Sequence, residues 1–97
     1  METQIIDDLS IFPKKIQILY QLRSIYDIHF MFNDVNEHKE LIITLNDSQY
    51  FILATEIIDI LIDNGWFFDL MIKDPRSIVN NSNYSLRLKF ININIKK

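Results

Sequence analysis

Two histidines, His29 and His38, are the side chains of this sequence most suited to acid-base chemistry at neutral pH. A nucleophilic site requires a serine or cysteine beside a base that an acid orients. Asp27 and His29 fall on one face of a segment with strand-like alternation, but no nucleophile elbow of the G-x-S-x-G type accompanies them. The pattern favours a partly exposed strand histidine, and we expect no catalytic residues.

Metal and cofactor sites have equally little support in the sequence. His38 lies near Asp34 and Glu37, but their spacing matches no zinc or calcium ligand pattern and indicates a solvated turn. The absence of cysteine excludes thiolate metal sites, and a single glycine excludes the glycine-rich loops that cradle phosphates. We therefore predict a non-enzymatic protein that holds no cofactor and no metal.

The length and composition favour one domain. The chain has 97 residues, of which 48% are hydrophobic, and no linker or repeat divides it, so we expect a single α/β domain over residues 1–97. The acidic segment 1–8 lacks the basic region of a signal peptide, and no apolar run approaches ~18 residues. We expect a protein that does not span a membrane and that resides in the cytoplasm, where the absence of cysteine is no disadvantage.

Residue usage and charge are both uneven along the chain. The sequence contains 19 Ile and 9 Asn against one Ala and one Gly, which indicates AT-rich codons and suggests a mobile element. Residues 1–65 carry eleven acids and four bases, whereas residues 66–97 carry two acids and six bases. This split predicts either charge complementarity within the fold or a molecule with an acidic face and a basic face.

Two helices and four strands are predicted to position these residues. Pro13 indicates a helix start, because proline is tolerated at the first helical position, and helical apolar spacing continues to about Tyr26. Polar residues at 46–48 can cap a second helix over about 48–63, which ends at Gly65 in a left-handed conformation. Segments that alternate with a period of two lie at 28–32, 41–45, 66–72 and 84–95.

The last of these segments contains an irregularity. Its apolar phase reverses at Phe90-Ile91. Because a slip of one residue moves every side chain to the opposite face, the reversal predicts either a β-bulge or a strand whose second half is buried against something else.

The predicted element order is α-β-β-α-β-β. It gives an α+β two-layer sandwich in which two helices cover one face of a four-stranded, mostly antiparallel sheet. The arrangement resembles a circularly permuted ferredoxin-like sandwich. The crossover through the second helix should be right-handed if the second and third strands are parallel neighbours.

The first of three candidate partner-binding surfaces is an acidic stripe on the second helix, formed by Glu56, Asp59 and Asp63 at i, i+3 and i+7. Two of these acids fall in the last turns, where the helix dipole disfavours negative charge by about 0.3–1 kcal/mol each. The stripe predicts contact with a basic protein, such as a nucleic-acid-binding one. The alternatives are a solvated face or ion pairs with Arg87 or Lys89.

The second candidate surface is the sheet face opposite the helices, and the third is the C-terminal strand. Large apolar groups among polar ones fit a homodimer or partner interface. A strand-swapped or edge-to-edge dimer would bury the C-terminal isoleucines, unless a bulge keeps that strand in its own core. The predicted open face carries His29, Met31, Ile42, Thr44, Phe67, Asp69, Met71, Arg87 and Lys89, and the third surface carries Ile91, Ile93 and Ile95.

Direct nucleic-acid binding has weaker support, because Arg87, Lys89, Lys96 and Lys97 can neutralise only a few phosphates in a mainly acidic molecule. We expect instead a small protein-binding domain, an inhibitor or immunity-type protein of a phage or plasmid. It would occupy a basic site on a larger enzyme, as an anti-CRISPR-type inhibitor does. The alternatives are a homodimeric structural or regulatory subunit that pairs through its open sheet face or C-terminal strand, and a small-ligand sensor domain.

Overall fold

A helical layer covers one face of a four-stranded sheet, so the predicted α+β two-layer sandwich is confirmed. The structure is a computed structural model that describes residues 6, 8–35, 38–79 and 82–93. Within these residues, no helix combines the length and the apolar character needed to cross a membrane.

The first helical region follows a 3-10 turn at Leu9–Ile11 and is interrupted once. Helix α1 spans Lys14–Gln21, and helix α2 spans Arg23–Tyr26. Leu22 between them has φ −100° and ψ 14°, which departs from α-helical geometry. The Arg23 guanidinium donates a 2.7 Å hydrogen bond to a backbone carbonyl of the preceding turn and so stabilises the break. The prediction of one continuous helix is wrong at Leu22.

The second helical region ends as predicted before Gly65, but its α-helix begins at Leu53 rather than near residue 48. A 3-10 turn at Ser48–Tyr50 leads into helix α3, which spans Leu53–Asp63. The Asp47 carboxylate accepts a 3.1 Å hydrogen bond from a backbone N–H of the turn and caps it. After α3, Gly65 adopts φ 91°, a conformation that costs glycine nothing but strains residues with a side chain.

The sheet contains four strands in the order β1-β2-β4-β3, and every neighbouring pair is antiparallel. Their bounds are β1 Ile28–Val35, β2 His38–Leu45, β3 Phe67–Val79 and β4 Ser82–Asn92.

The connection through α3 forms a split β-α-β unit. Strands β2 and β3 run in the same direction, since each is antiparallel to β4, but β4 lies between them. The condition for the predicted crossover, parallel neighbouring strands, is therefore not met. A split unit of this kind is the building block of ferredoxin-like sandwiches, as the predicted permuted arrangement requires.

The core lies between the helical layer and the sheet. Full burial of each aliphatic side chain contributes roughly 1.5–3 kcal/mol, before conformational entropy is counted. Trp66 stacks on Phe12 with ring centroids 5.6 Å apart, which ties the segment before α1 to the start of β3. The side chains with the lowest exposure are Ile16, Phe30, Leu41, Ile43, Leu45, Ile57, Leu61, Leu88 and Phe90.

Candidate protein-binding surfaces

The outward side of α3 carries the predicted acidic stripe. Glu56, Asp59 and Asp63 are all exposed, because the helix turns its apolar positions Ile57 and Leu61 into the core. Two large apolar side chains lie among the acids, with Ile52 82% and Ile62 49% exposed. We call this surface the acidic α3 face; it comprises Ile52, Glu56, Asp59, Ile62 and Asp63.

One of the three acids is paired within the fold. The Lys15 ammonium on α1 donates a 3.2 Å hydrogen bond to the Glu56 carboxylate. Both side chains are more than half exposed, so this pair contributes little to stability, typically about 0–1 kcal/mol. The alternative pairing of the stripe with Arg87 or Lys89 does not occur.

Asp59 and Asp63 form no hydrogen bond or ion pair with any residue that the structure describes. They are separated by four positions on one helix, a spacing at which like charges repel by about 0.2–0.5 kcal/mol. The last turn of α3 contains no basic residue to offset them or the helix dipole. Negative charge is thus concentrated and uncompensated at this end of the helix.

The opposite side of the molecule is the open sheet face, which the strand register defines. Residues directly opposite each other in an antiparallel pair point to the same side of the sheet. The positions alternating with the buried core residues of β1, β2 and β4 therefore lie on this face. They are His29, Met31, Asn33, His38, Glu40, Ile42, Thr44, Arg87, Lys89 and Ile91.

Strand β3 does not contribute the residues that simple alternation predicts. Its register with β4 shifts between Phe68 and Leu70, so that Asp69 is the extra residue of a β-bulge. Met71 then lies opposite the core residue Leu88 and points to the helical side, which corrects its predicted place on the open sheet face. Beyond the bulge, Leu70 and Ile72 take that place.

The β3 part of the open sheet face consequently carries three large apolar side chains beside the carboxylates of Asp69 and Asp74. It presents Phe67, Leu70 and Ile72, which are 56%, 37% and 38% exposed. Three consecutive apolar residues, 70–72, are the sequence signal that alternation is broken here. We call Phe67, Leu70 and Ile72 the apolar row.

The charged groups of the open sheet face are paired with one another. Lys89 Nζ lies 3.7 Å from a carboxylate oxygen of Glu40 and 3.7 Å from one of Asp69. Arg87 forms an ion pair and hydrogen bond with Asp74. The contact of Lys89 with Glu40 thereby pairs the basic segment 66–97 with the acidic segment 1–65. This contact is an instance of charge complementarity within the fold.

Glu40 is the most connected of these groups. Besides Lys89, it contacts His38 Nε2 at 3.4 Å and accepts a 3.4 Å hydrogen bond from the Asn33 amide. The hydrogen bond with His38, more than any other contact, lowers the pKa of the Glu40 carboxyl below its usual value. Glu40 is thus held ionised beside Lys89.

These pairs bear on nucleic-acid binding. Arg87 and Lys89, two of the four bases considered for contact with phosphates, are engaged in ion pairs within the fold. Lys96 and Lys97 lie outside the described residues.

The C-terminal strand, β4, lies between β2 and β3 in the sheet. Its register with β2 is unbroken from Leu86 to Asn92, so the predicted bulge at Phe90-Ile91 is absent. Because β4 is hydrogen-bonded on both sides, over this length it has no free edge for the predicted edge-to-edge dimer. The phase reversal instead leaves Ile91 half-buried on the open sheet face and Ile93 56% exposed. Ile95 lies outside the described residues.

A shallow apolar groove runs between the first helical region and α3. Its volume is about 170 Å³, below the roughly 300–1,000 Å³ typical of ligand sites. The Lys15–Glu56 pair borders it. The groove therefore gives no support to the small-ligand sensor hypothesis.

The histidines do not form a metal-binding cluster with the residues that the structure describes. Asp34 ion-pairs with Lys39 on the helical side of the sheet, whereas His38 lies on the open sheet face. In the described parts of the chain, no three His, Asp or Glu side chains are grouped so that they could hold a metal ion.

No protein-family model matches the chain, and comparisons with curated proteins and with solved structures give no match either.

Proposed function

We propose that this chain is a small non-enzymatic protein-binding domain of the inhibitor or immunity type, which occupies a basic site on a larger protein with its acidic α3 face. One observation carries the proposal. Of the acids that the structure describes, Asp59 and Asp63 are those that form no hydrogen bond or ion pair with another described residue.

The chemistry of the acidic α3 face supports a protein as the partner. Two unpaired carboxylates favour a cationic surface, and the interaction of opposite charges speeds association and selects the partner. Ile52 and Ile62 add apolar area beside the carboxylates. A combination of charge with large exposed apolar groups is typical of protein interfaces.

The proposed class of partner and the proposed origin of the chain rest on broader features. A larger enzyme that binds nucleic acid has the basic groove that this surface would fill, as the targets of anti-CRISPR-type inhibitors do. The AT-rich residue usage supports an origin in a phage or plasmid. The cysteine-free composition is compatible with action in the reducing cytoplasm.

The test is affinity capture from a lysate with the immobilised chain, followed by identification of the bound protein and measurement of its affinity. The double variant Asp59→Asn/Asp63→Asn should weaken binding by about tenfold or more, since each lost charge contact contributes on the order of 1 kcal/mol. Added salt should weaken binding by the wild-type chain.

A matched control keeps the net charge equal. Gln21→Lys/Ser24→Lys changes the charge by the same two units at exposed positions away from α3, and it should leave binding unchanged. Equal binding by the wild type and by Asp59→Asn/Asp63→Asn would exclude the acidic α3 face as the site.

A further inference from the structure

We propose that two copies of this chain associate face to face through their open sheet faces, with the apolar row of β3 inside the contact. The surface lies on the opposite side of the sandwich from the acidic α3 face. The proposal therefore does not depend on the proposed function.

The apolar area of the open sheet face is the first argument. The apolar row is continuous with Ile91, because Phe67 and Ile91 are opposite each other in the register. At the opposite edge of the same face, Met31 on β1 is 37% exposed. Exposed apolar groups that adjoin one another in this way mark an interaction surface.

The charge pattern favours a second copy as the occupant. The carboxylates of Glu40, Asp69 and Asp74 are already paired with Lys89 and Arg87 on the same face. A strongly charged partner would have to compete with these pairs. A second copy presents the same apolar row and the same ion pairs, which leave one excess negative charge on each face, so a two-fold axis beside Leu70 places apolar groups on apolar groups.

The geometry of β3 favours packing of faces over addition of strands. Although β3 is an edge strand, it carries a bulge at Asp69 and a proline at Pro75. Bulges and prolines are the features that block edge-to-edge pairing of strands. The apolar row is therefore covered by a facing sheet rather than flanked by an added hydrogen-bonded strand.

The size of the face is sufficient for a reversible dimer. Four strands ~4.8 Å apart, each of about eight residues with a rise of ~3.3 Å, make a face of about 500 Å². Two such faces bury about 1,000 Å² when they overlap fully, which is the lower limit for a specific interface. Buried area does not determine affinity, and we take roughly the micromolar range of weak dimers as the expected dissociation constant.

Sedimentation velocity of the full chain over about 5 to 500 µM, a range that brackets such a constant, tests the proposal. The apparent mass should rise with concentration from 11.6 kDa toward twice that value. The rise should be at least as large at about 500 mM salt as at about 50 mM, because salt screens the one excess negative charge on each face.

Two variants and one control locate the interface. Phe67→Arg and Ile72→Arg should each weaken the dimer by about tenfold or more, since a charge then replaces an apolar side chain within the contact. Ile25→Arg makes the same change at a side chain that is 69% exposed on α2, and it should have no effect. Thermal melts of all three variants establish that they fold, and Met31→Arg replaces any variant that does not.

A wild-type chain that stays monomeric throughout would overturn the proposal, as expected if a different protein covers the face. A dimer that persists in both open-face variants, or that Ile25→Arg disrupts equally, would also overturn it. Since these measurements involve one pure protein, they are independent of capture by the acidic α3 face.

Discussion

The acidic α3 face and the open sheet face lie on opposite sides of the sandwich and differ in how their charges are balanced. On the open sheet face, Lys89 bridges Glu40 and Asp69. On the acidic α3 face, Asp59 and Asp63 have no partner among the described residues. The first surface holds its charge in pairs beside apolar groups, whereas the second leaves its charge free for another molecule.

This difference separates groups that stabilise the fold from groups that reduce its stability. Charges paired on a sheet restrain neighbouring strands and contribute modestly to stability. Unpaired like charges at the end of a helix are unfavourable locally, and such conflicts between local preference and fold are expected at functional positions. Each of the following predictions compares a substitution on or beneath one of these surfaces with a matched control.

The largest effect is expected within α3 itself. Leu61 is fully buried beneath the acidic α3 face, and Leu61→Ala should lower the free energy of unfolding by about 2–5 kcal/mol. Ile62, the next residue, is 49% exposed, and Ile62→Ala should change the free energy of unfolding by no more than about 0.5 kcal/mol. Urea denaturation measures both; similar losses would indicate that the outward side of α3 packs against the rest of the chain.

A smaller effect is expected from the ion pairs. Lys89→Ala should lower the free energy of unfolding by about 1 kcal/mol, because Lys89 is 28% exposed and its loss leaves Glu40 and Asp69 close together. Lys15→Ala removes a pair whose side chains are far more exposed and should have a near-zero effect. If the two losses are equal in urea denaturation at low salt, the open sheet face is not held together by its charges.

The acidic α3 face could be predicted from the sequence because its position depends on local rules. The left-handed Gly65 and the helical period fix which side of α3 faces solvent, whereas the Asp47 cap belongs to the 3-10 turn before the helix. Glu56, Asp59 and Asp63 therefore lie where the spacing places them. The Lys15 partner of Glu56 is 41 residues away and depends on how the two helices pack.

The open sheet face was only partly predictable, because it depends on strand order and on one inserted residue. Alternation places Phe67 correctly, but the bulge at Asp69 moves Met71 to the helical side and brings Leu70 and Ile72 to the open sheet face. The pairing of Lys89 with Glu40 requires β4 to lie beside β2, which no local pattern specifies. The apolar row is therefore a property of the tertiary structure.

The pH dependence of stability gives a third comparison. The pKa of Glu40 is lowered, chiefly by its hydrogen bond with His38. A carboxyl with a lowered folded pKa stabilises the fold at pH values above its usual 4.5, and this contribution is lost as the pH falls through the folded value. Glu40→Gln should therefore melt at a lower temperature than the wild type at about pH 7, and the difference should disappear toward about pH 3.

The control for this prediction is the partner of Glu40. His38→Ala removes the main cause of the lowered pKa, so it should bring the pH dependence of the wild type closer to that of Glu40→Gln. A melting-temperature difference between Glu40→Gln and the wild type that stays constant with pH would show that the carboxylate contributes no charge-dependent stability.

The smallest effect has the opposite sign. Asp59→Asn/Asp63→Asn removes a repulsion across one helical turn and an unfavourable interaction with the helix dipole, and it should raise stability by about 0.5 kcal/mol. For a domain of this size the melting temperature should rise by about 2–4 °C. Gln21→Lys/Ser24→Lys changes the net charge by the same two units and separates this local effect on α3 from a general effect of net charge. A lower melting temperature would mean that these two acids are stabilised within the fold, and the acidic α3 face would then have no uncompensated charge to offer a partner.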